Sequence, residues 1–201
     1  MTNETTQNIL IVGVGGQGVL LASEIISAAA MNGGLDVKKS EVHGMSQRGG
    51  VVSSHVRLGP RVYSPVIEYG QADILMAFEQ AEGLRAIDWM RSDGVAVISL
   101  TRLVPAIVTS SKAFHYPEDP IADMRRKAKH VIAVSADKIA AELGNPRLVN
   151  TILLGVCSNY MPFPTELWQD MIRMKVKDRF VDINLQAFAR GREVKLAAAG
   201  A

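Results

Sequence analysis

Residues 9–18 read ILIVGVGGQG, an apolar run that ends in a cluster of glycines. A short, continuous apolar segment followed by a turn signal is typical of a β-strand buried on both faces. Residues 17–34 read QGVLLASEIISAAAMNGG and carry apolar side chains at helical spacing up to the pair Gly33-Gly34. Strand, glycine turn and helix in this order predict an α/β protein.

Strand-like and helix-like segments alternate as far as about residue 135. The predicted strands are DVKKSEVHG (36–44), VVSSHVRLG (51–59), ADILMAFE (72–79), GVAVISL (94–100) and HVIAVSA (130–136), and RVYSPVI (61–67) is predicted to pair with 51–59 as a hairpin. Helices are predicted at 80–94 and 119–129, and the pattern is helical from about residue 136. We therefore predict one domain over residues 1–201, a three-layer, Rossmann-like α/β fold with a mixed, mostly parallel sheet and a helical C-terminal third.

The amino-acid composition argues against several classes of function. Lysine and arginine number 22 against 20 aspartate and glutamate, a net charge of +2, which gives no electrostatic basis for nucleic-acid binding. The single cysteine, Cys157, cannot by itself provide a disulfide framework or the ligands of an iron–sulfur cluster. The N-terminal MTNETTQN lacks the lysine or arginine of a signal peptide, and no apolar run reaches about 18 residues. A cytoplasmic protein without membrane contact is predicted.

The glycine turn is the first candidate binding element. Gly13, Gly15 and Gly18 match G-x-G-x-x-G between a strand and a helix, where glycines let the backbone approach a phosphate. A dinucleotide site also needs an acid at the end of the second strand, but Asp36 precedes that strand and Glu41 comes late in it. A phosphate or nucleotide contact is favoured, NAD is weakly supported, and a turn without a ligand is the alternative.

The second candidate is the loop within EVHGMSQRGG, residues 41–50. Arg48 offers a planar fork of donors for a carboxylate or phosphate, and adjacent glycines let a ligand or another chain come close. We expect this loop beside the glycine turn at the carboxyl ends of the strands; the alternative is that Arg48 pairs with Glu41 or Glu68. The predicted ligand- or partner-binding residues are Gly13, Gly15, Gly16, Gln17, Gly18, His43, Gly44, Met45, Ser46, Gln47, Arg48, Gly49 and Gly50.

The remaining polar residues receive structural predictions. His43 is either a proton carrier or an ordinary hydrogen-bonded residue at a strand end, and His55 is expected on the polar face of its strand. No histidine pair has metal-ligand spacing, so no metal site and no catalytic residue are predicted. Asn150 and Asn184 are expected to cap or bridge helices, and Cys157 to be a buried small residue.

Several motifs together resemble a known family. They are GVGGQG (13–18), GMSQRGG (44–50), VSSHVRLG (52–59), ADILMAFEQAEGLRAI (72–87), NPRLVNTILLG (145–155) and NLQAFARG (184–191). In this order they resemble the gamma subunit family of 2-oxoacid:ferredoxin oxidoreductases, and within it the beta-subunit group of indolepyruvate ferredoxin oxidoreductases. The glycine turn is unspecific by itself, whereas GMSQRGG at this distance behind it is specific.

The resemblance implies one subunit of an enzyme that oxidatively decarboxylates a 2-oxo acid and forms an acyl-coenzyme A. It implies that thiamine diphosphate, magnesium and iron–sulfur clusters lie on a larger partner subunit, that ferredoxin is reached indirectly, and that coenzyme A is a co-substrate. No Gly-Asp-Gly segment followed by asparagine, as a thiamine site needs, occurs here. The isolated chain is expected to be inactive. The alternatives are a free-standing NAD(P)-dependent dehydrogenase and a non-enzymatic nucleotide-binding or scaffolding module.

Overall fold

A computed structural model describes residues 6–44, 50–104 and 115–195. The strands in this part of the chain are β1 (Gln7–Val14), β2 (Asp36–His43), β3 (Val51–Gly59), β4 (Ala72–Ala77), β5 (Met90–Ser99) and β6 (His130–Val134). The helices are α1 (Val19–Asn32), α2 (Gln80–Ala86), α3 (Pro120–Lys127), α4 (Ala136–Glu142), α5 (Val149–Ser158), α6 (Thr165–Lys175) and α7 (Val181–Glu193). Short 3-10 turns occupy Ile87–Trp89, Pro146–Leu148 and Asp178–Phe180.

The strands form one sheet in the order β2-β3-β1-β4-β5-β6. β1, β4, β5 and β6 pair in parallel, whereas β3 is antiparallel to both of its neighbours, β1 and β2. β3 is therefore the one described strand that runs against the others. The predicted mixed, mostly parallel sheet is confirmed.

Helices cover both faces of the sheet and form an apolar core with each face. The side chains of β1 alternate between these two cores. Ile9 and Ile11 belong to the larger core, which includes residues of α1, α5, α6 and α7. Leu10 and Val12 belong to a smaller core on the other face, with Ala86 of α2 and Met124 of α3. The predicted three-layer arrangement is confirmed.

The helical C-terminal third is confirmed, and it centres on α5. Every residue of α5 is buried. The helix crosses α7 where Gly155 faces Gly191, so closely that a Cβ added to Gly155 would lie 2.2 Å from the carbonyl oxygen of Phe188. The two glycines let the backbones of α5 and α7 touch here and fix the position of one helix relative to the other.

Three local predictions are corrected. Residues 61–67 form no strand, because β1 and β2 already occupy both edges of β3 and no unpaired edge remains for a hairpin partner. The helix predicted over 80–94 ends at Ala86, and β5 begins at Met90. His55 is buried at 8% exposure, because residues 61–71 cover its face: its Nδ1 accepts from the backbone N–H of Ile67 at 3.2 Å, and its ring meets Trp89 edge-on.

Candidate functional site

The glycine turn between β1 and α1 requires glycine at two positions. Gly16 and Gly18 have φ of 98° and 91°, a region that residues with a Cβ rarely adopt. Gly13 is needed for a different reason, since a Cβ there would lie 2.9 Å from the Cβ of Phe78. The turn holds the start of α1 tightly against the sheet, as the G-x-G-x-x-G spacing predicts.

Gln17 is part of the turn itself. Its Oε1 accepts from the backbone N–H of Val14 at 2.7 Å, and its Nε2 donates to the carbonyl oxygen of Phe78 at 3.0 Å. Both ends of the side-chain amide are thus bound to backbone groups, one at the end of β1 and one just after β4. The predicted binding residue Gln17 holds the glycine turn in shape.

Two backbone N–H groups of the turn are available to a ligand in the described part of the chain. The N–H of Gly15 donates to the carbonyl oxygen of Gly50 at 2.9 Å, and that of Gln17 to Val14 at 3.2 Å. The N–H groups of Gly16 and Gly18 have no hydrogen-bond partner among the described residues. They stand at the N-terminus of α1, which has no acidic residue in its first turn and no side-chain cap. Such a helix start attracts anions.

The two predicted segments meet at this edge of the sheet. The Gly15–Gly50 hydrogen bond joins the glycine turn directly to the end of the loop, and the N–H of Gly44 donates to Val51 at 2.7 Å. Gly50 therefore lies beside the glycine turn as expected, and Gly44 is held at the neighbouring end of β2 through Val51. Met45, Ser46, Gln47, Arg48 and Gly49, and the side chain of His43, lie outside the described residues, so their roles stay predictions.

A cleft of about 620 Å³ opens beside the glycine turn. This volume lies within the range of small-molecule sites, roughly 300–1,000 Å³. Its walls come from the glycine turn and α1, from the residues after β5, from the first turn of α4, and from the start of α5. The lining residues are Gly16, Gln17, Gly18, Leu21, Thr101, Leu103, Asp137, Pro146, Arg147, Val149 and Asn150.

Asn150 is buried at the wall of this cleft, at 7% exposure. Its Oδ1 accepts from the N–H of Thr151 at 2.8 Å. Its Nδ2 faces the glycine turn, since a Cβ added to Gly18 would lie 3.0 Å from that nitrogen. Asn184 instead bridges helices as predicted, accepting from the Thr151 hydroxyl at 2.6 Å and donating to the Phe180 carbonyl at 2.8 Å.

Sequence reasoning did not identify the opposite wall of the cleft. The Thr101 hydroxyl donates to Asp137 Oδ2 at 2.6 Å and lies 2.7 Å from the Ser99 hydroxyl. Arg147 is exposed at the cleft, and its guanidinium makes no ion pair with any described residue. Thr101 and Asp137 follow β5 and β6 and meet only in the folded chain, whereas Arg147 lies within the motif NPRLVNTILLG but was not singled out as a binding residue. The position after a strand end was the one available signal.

A buried carboxylate, that of Glu79, stabilises the carboxyl edge of the sheet beside the cleft. Glu79, which follows β4, is 1% exposed and accepts from the N–H groups of Glu82 at 2.9 Å and Leu103 at 3.2 Å, and from the Tyr116 hydroxyl. Burial raises the pKa of Tyr116, and the bond to Glu79 raises it further, so the phenol remains protonated as a donor. Glu79 thereby holds Leu103, a residue of the cleft wall, in place.

Cys157 cannot act as a nucleophile in this fold. It is fully buried in α5, and burial raises the pKa of its thiol, which keeps the unreactive protonated form. Within residues 6–44, 50–104 and 115–195, no three His, Cys, Asp or Glu side chains are grouped as a metal site requires. No helix in the described part of the chain is long and apolar enough to cross a membrane.

The sheet order argues against the dinucleotide alternative. In a dinucleotide-binding fold, the second parallel strand lies directly beside the first and carries the ribose-binding acid at its carboxyl end. Here the antiparallel strand β3 separates β1 from β2. Glu41 forms an ion pair with Lys39 of the same strand, at 2.7 Å between Oε1 and Nζ. The glycine turn is present without the neighbouring parts of an NAD site.

The fold and the turn define the class. The chain is a three-layer α/β domain with a glycine turn and a cleft at the carboxyl edge of its parallel strands, where open sheets bind their ligands. A family model described as pyruvate ferredoxin/flavodoxin oxidoreductase matches residues 8–194. The chain belongs to this family.

Relatives of similar length support the assignment. An indolepyruvate oxidoreductase subunit, IorB, of Archaeoglobus fulgidus is 40% identical over 188 residues, covering 92% of both chains. The IorB subunit of Pyrococcus horikoshii is 36% identical, covering 92% of this chain and 93% of its own. The resemblance to the gamma subunit family of 2-oxoacid:ferredoxin oxidoreductases, inferred from the motifs, is confirmed.

Solved structures show the same fold. The gamma subunit of a keto/oxoacid ferredoxin oxidoreductase from Geobacter sulfurreducens superposes with a TM-score of 0.70 at 23% identity, covering 96% of this chain and 99% of its own. A 2-oxoglutarate:ferredoxin oxidoreductase from Magnetococcus marinus, solved with 2-oxoglutarate, coenzyme A and succinyl-CoA, gives 0.73 at 20% identity. The chain matches 31% of that longer polypeptide.

Proposed function

We propose that this chain is a subunit of an indolepyruvate-type ferredoxin oxidoreductase that acts on an arylpyruvate. The observation that carries the proposal is the 40% identity to an indolepyruvate oxidoreductase subunit over 92% of both chains. Similarity to the subunits named for other substrates is lower: 30% for a ketoisovalerate oxidoreductase and 27% for a pyruvate synthase. The gradient favours an aryl 2-oxo acid as the substrate of the whole enzyme.

In this proposal the redox chemistry belongs to a larger partner subunit. Thiamine diphosphate with magnesium supplies the decarboxylation there, and iron–sulfur clusters carry the electrons to ferredoxin. The only cysteine of this chain is buried in α5, which fits a subunit without a cluster of its own. The isolated chain is accordingly inactive and needs its partner for turnover.

The contribution of this chain is the ligand-binding edge beside β1. The N–H groups of Gly16 and Gly18, which have no partner within residues 6–44, 50–104 and 115–195, and the positive end of the α1 dipole suit a phosphate of coenzyme A. The loop that ends at Gly50 borders the same turn, so a segment of the partner subunit is the second candidate for this position. Either arrangement places coenzyme A or the partner's active site at the carboxyl edge of the sheet.

Coexpression with the gene of the proposed large subunit tests the assembly. A tag on this chain should recover an untagged, cysteine-rich partner, and the complex should reduce ferredoxin with indolepyruvate only when coenzyme A is present. Phenylpyruvate and 4-hydroxyphenylpyruvate should replace indolepyruvate, whereas pyruvate, ketoisovalerate and 2-oxoglutarate should be poor substrates. A complex that prefers an aliphatic 2-oxo acid refutes the substrate class, and reduction of NAD by the chain without a partner refutes the subunit role.

A further inference from the structure

A second cavity lies on the opposite face of the sheet from the cleft. It measures about 210 Å³ and shares no lining residue with the cleft beside the glycine turn. α1 and α5, which border the cleft, pack into the larger core, whereas the floor of this cavity comes from β1 residues of the smaller core. The walls of this outer cavity include Leu10, Val12, His55, Glu82, Arg85 and Trp89.

Aromatic rings form one side of the outer cavity. The ring of Trp89 meets that of His55 edge-on, with 5.3 Å between the centroids, and Tyr69 packs against Trp89 at 5.5 Å. Such rings pack favourably with a further aromatic ring in an offset or edge-on arrangement. An apolar cavity of roughly 150 Å³ is large enough for benzene. The outer cavity, at about 210 Å³, therefore accommodates one aromatic ring with a short substituent.

Two deeply buried polar side chains line this largely apolar space. Glu82 and His55 are 6% and 8% exposed. Nδ1 of His55 accepts from the backbone N–H of Ile67, so the proton of the neutral ring is on Nε2. Burial raises the pKa of Glu82, and the charge of Arg85 lowers it in part. A carboxylate that has lost its water is stabilised by an N–H or O–H group that a ligand donates to it.

Arg85 places a positive charge at the mouth of the outer cavity. Its side chain is 63% exposed, and Nη1 donates to Oε1 of Glu82. A guanidinium has five N–H donors, and the bond to Glu82 is its one hydrogen bond within residues 6–44, 50–104 and 115–195. The remaining donors suit a carboxylate, which a guanidinium binds through two parallel hydrogen bonds. Arg85 can therefore join Glu82 on the inside to a carboxylate on the outside.

We propose that the outer cavity binds a small aromatic carboxylic acid, with the ring beside Trp89, a ring N–H or O–H donated to Glu82, and the carboxylate on Arg85. A mostly apolar lining with a few placed polar groups is typical of small-molecule sites. Hydroxyphenyl and indole acids are the members of this class that carry all three features. The choice of an acid of this class also rests on the proposed function, whose substrate belongs to it.

NMR titration of the full, isotope-labelled chain tests the site. The probe that carries ring, donor and carboxylate is 4-hydroxyphenylacetate; phenylacetate lacks the donor, p-cresol lacks the carboxylate, and isovalerate lacks the ring. The chain contains two tryptophans, so two indole N–H signals report binding. Trp89 lines the outer cavity, whereas Trp168 is fully buried in the larger core and is the internal control.

We expect 4-hydroxyphenylacetate to shift the Trp89 signal with a Kd on the order of 1 mM, as for a ligand of few atoms, and to leave Trp168 unchanged. Phenylacetate should bind about fivefold to tenfold more weakly, because it donates nothing to Glu82. p-Cresol should lose about twofold to fivefold, and isovalerate should not bind. No response of Trp89 to the aromatic probes, or equal shifts of both tryptophans, refutes the site.

The variant Arg85→Gln tests the carboxylate contact. The amide keeps a donor for Glu82, so the fold should be retained. Affinity for 4-hydroxyphenylacetate should fall about twofold to fivefold, and affinity for p-cresol should not change. Arg126→Gln is the matched control, because Arg126 forms an i,i+3 ion pair with Asp123 on α3 and does not line the cavity. Equal losses in the two variants, or none in Arg85→Gln, overturn the assignment of Arg85.

Saturation-transfer NMR with the assembled complex tests whether the site is open in the enzyme. Saturation of the ring protons of 4-hydroxyphenylacetate, weakened by Arg85→Gln, supports the proposal. If assembly abolishes the binding seen with the free chain, the partner subunit covers the cavity and the proposal is overturned. The measurement needs no turnover, so a preference of the enzyme for an aliphatic 2-oxo acid would refute the proposed function and leave the result for the outer cavity intact.

Discussion

Replacement of Gly18 by alanine should destabilise the protein more than the same replacement of Gly16. Both glycines have strongly positive φ, so each substitution costs about 1–2 kcal/mol in backbone conformational energy. They differ in their surroundings: a Cβ at Gly16 has nothing within 4 Å, whereas one at Gly18 lies 3.0 Å from Nδ2 and 3.2 Å from Cβ of Asn150. Overpacking of this kind adds about 1–3 kcal/mol.

The size of the destabilisation depends on how far Asn150 can move away from the added methyl group. Asn150 is buried, and its Oδ1 is bound to Thr151 in the first turn of the fully buried helix α5. We therefore expect Gly18→Ala to lower the free energy of unfolding by about 2–5 kcal/mol and Gly16→Ala by about 1–2 kcal/mol.

Urea unfolding of the two variants, followed by circular dichroism, measures the difference directly. The double variant Gly18→Ala/Asn150→Ala completes a thermodynamic cycle, because truncation of Asn150 removes the overlap. We expect a coupling energy of about 1–3 kcal/mol, with the two substitutions less destabilising together than their sum. Equal losses for Gly16→Ala and Gly18→Ala, or strict additivity in the cycle, would refute the contact between Gly18 and Asn150.

Three further outcomes follow from the fold. Gly155→Ala should lower the free energy of unfolding by about 3 kcal/mol, because its Cβ would lie 2.2 Å from Phe188 O. Gly144→Ala, with φ of 77° and open space around its Cβ, should cost only about 1 kcal/mol. Urea unfolding measures both losses, and equal losses contradict the close crossing of α5 and α7. Burial lowers the pKa of His55, so the unfolded chain binds the proton more tightly and stability is lost as pH falls below about 6.5. His55→Asn, which can retain an acceptor for Ile67 N–H, should show a smaller loss of stability between pH 7 and pH 5, and an unchanged pH slope argues against His55 as the source. Cys157 should react with a thiol reagent only after denaturation, because its thiol is fully buried and burial raises its pKa. If the native chain is modified as fast as the unfolded chain, the buried position is contradicted.

Local patterns were sufficient for most of the elements. β1 was predictable because a strand buried on both faces has to be continuously apolar, and α1 because its apolar spacing starts at a glycine turn and stops at Gly33. The hairpin over 61–67 was wrong because nothing in that segment reveals that both edges of β3 are already paired. His55 was misjudged for a related reason, since its burial depends on residues 61–71 crossing over it.

The candidate site likewise contains residues that the sequence predicts and residues that only the fold brings together. Gly13, Gly16 and Gly18 could be identified because a tight strand-to-helix turn restricts the residue type at each position. Gln17 was predicted with them as a binding residue, and this role stays a prediction; its side-chain amide is hydrogen-bonded to Val14 and Phe78 and lines the cleft. Thr101 and Asp137 carried no local signal, and Arg147 was not singled out although it lies within the motif NPRLVNTILLG, since hydroxyls and charged groups at such positions are equally typical of a solvated surface.

The sequence by itself determined the class of fold, the glycine turn and the family, because each depends on residue order over short stretches. Only the tertiary structure decided that the turn is hydrogen-bonded to Gly50 and packs directly against Asn150. Those contacts join residues 35 and 132 positions apart, and their geometry depends on strand order and on the close approach of α5 and α7. Packing of the whole domain sets such distances, and no local pattern of side chains encodes them.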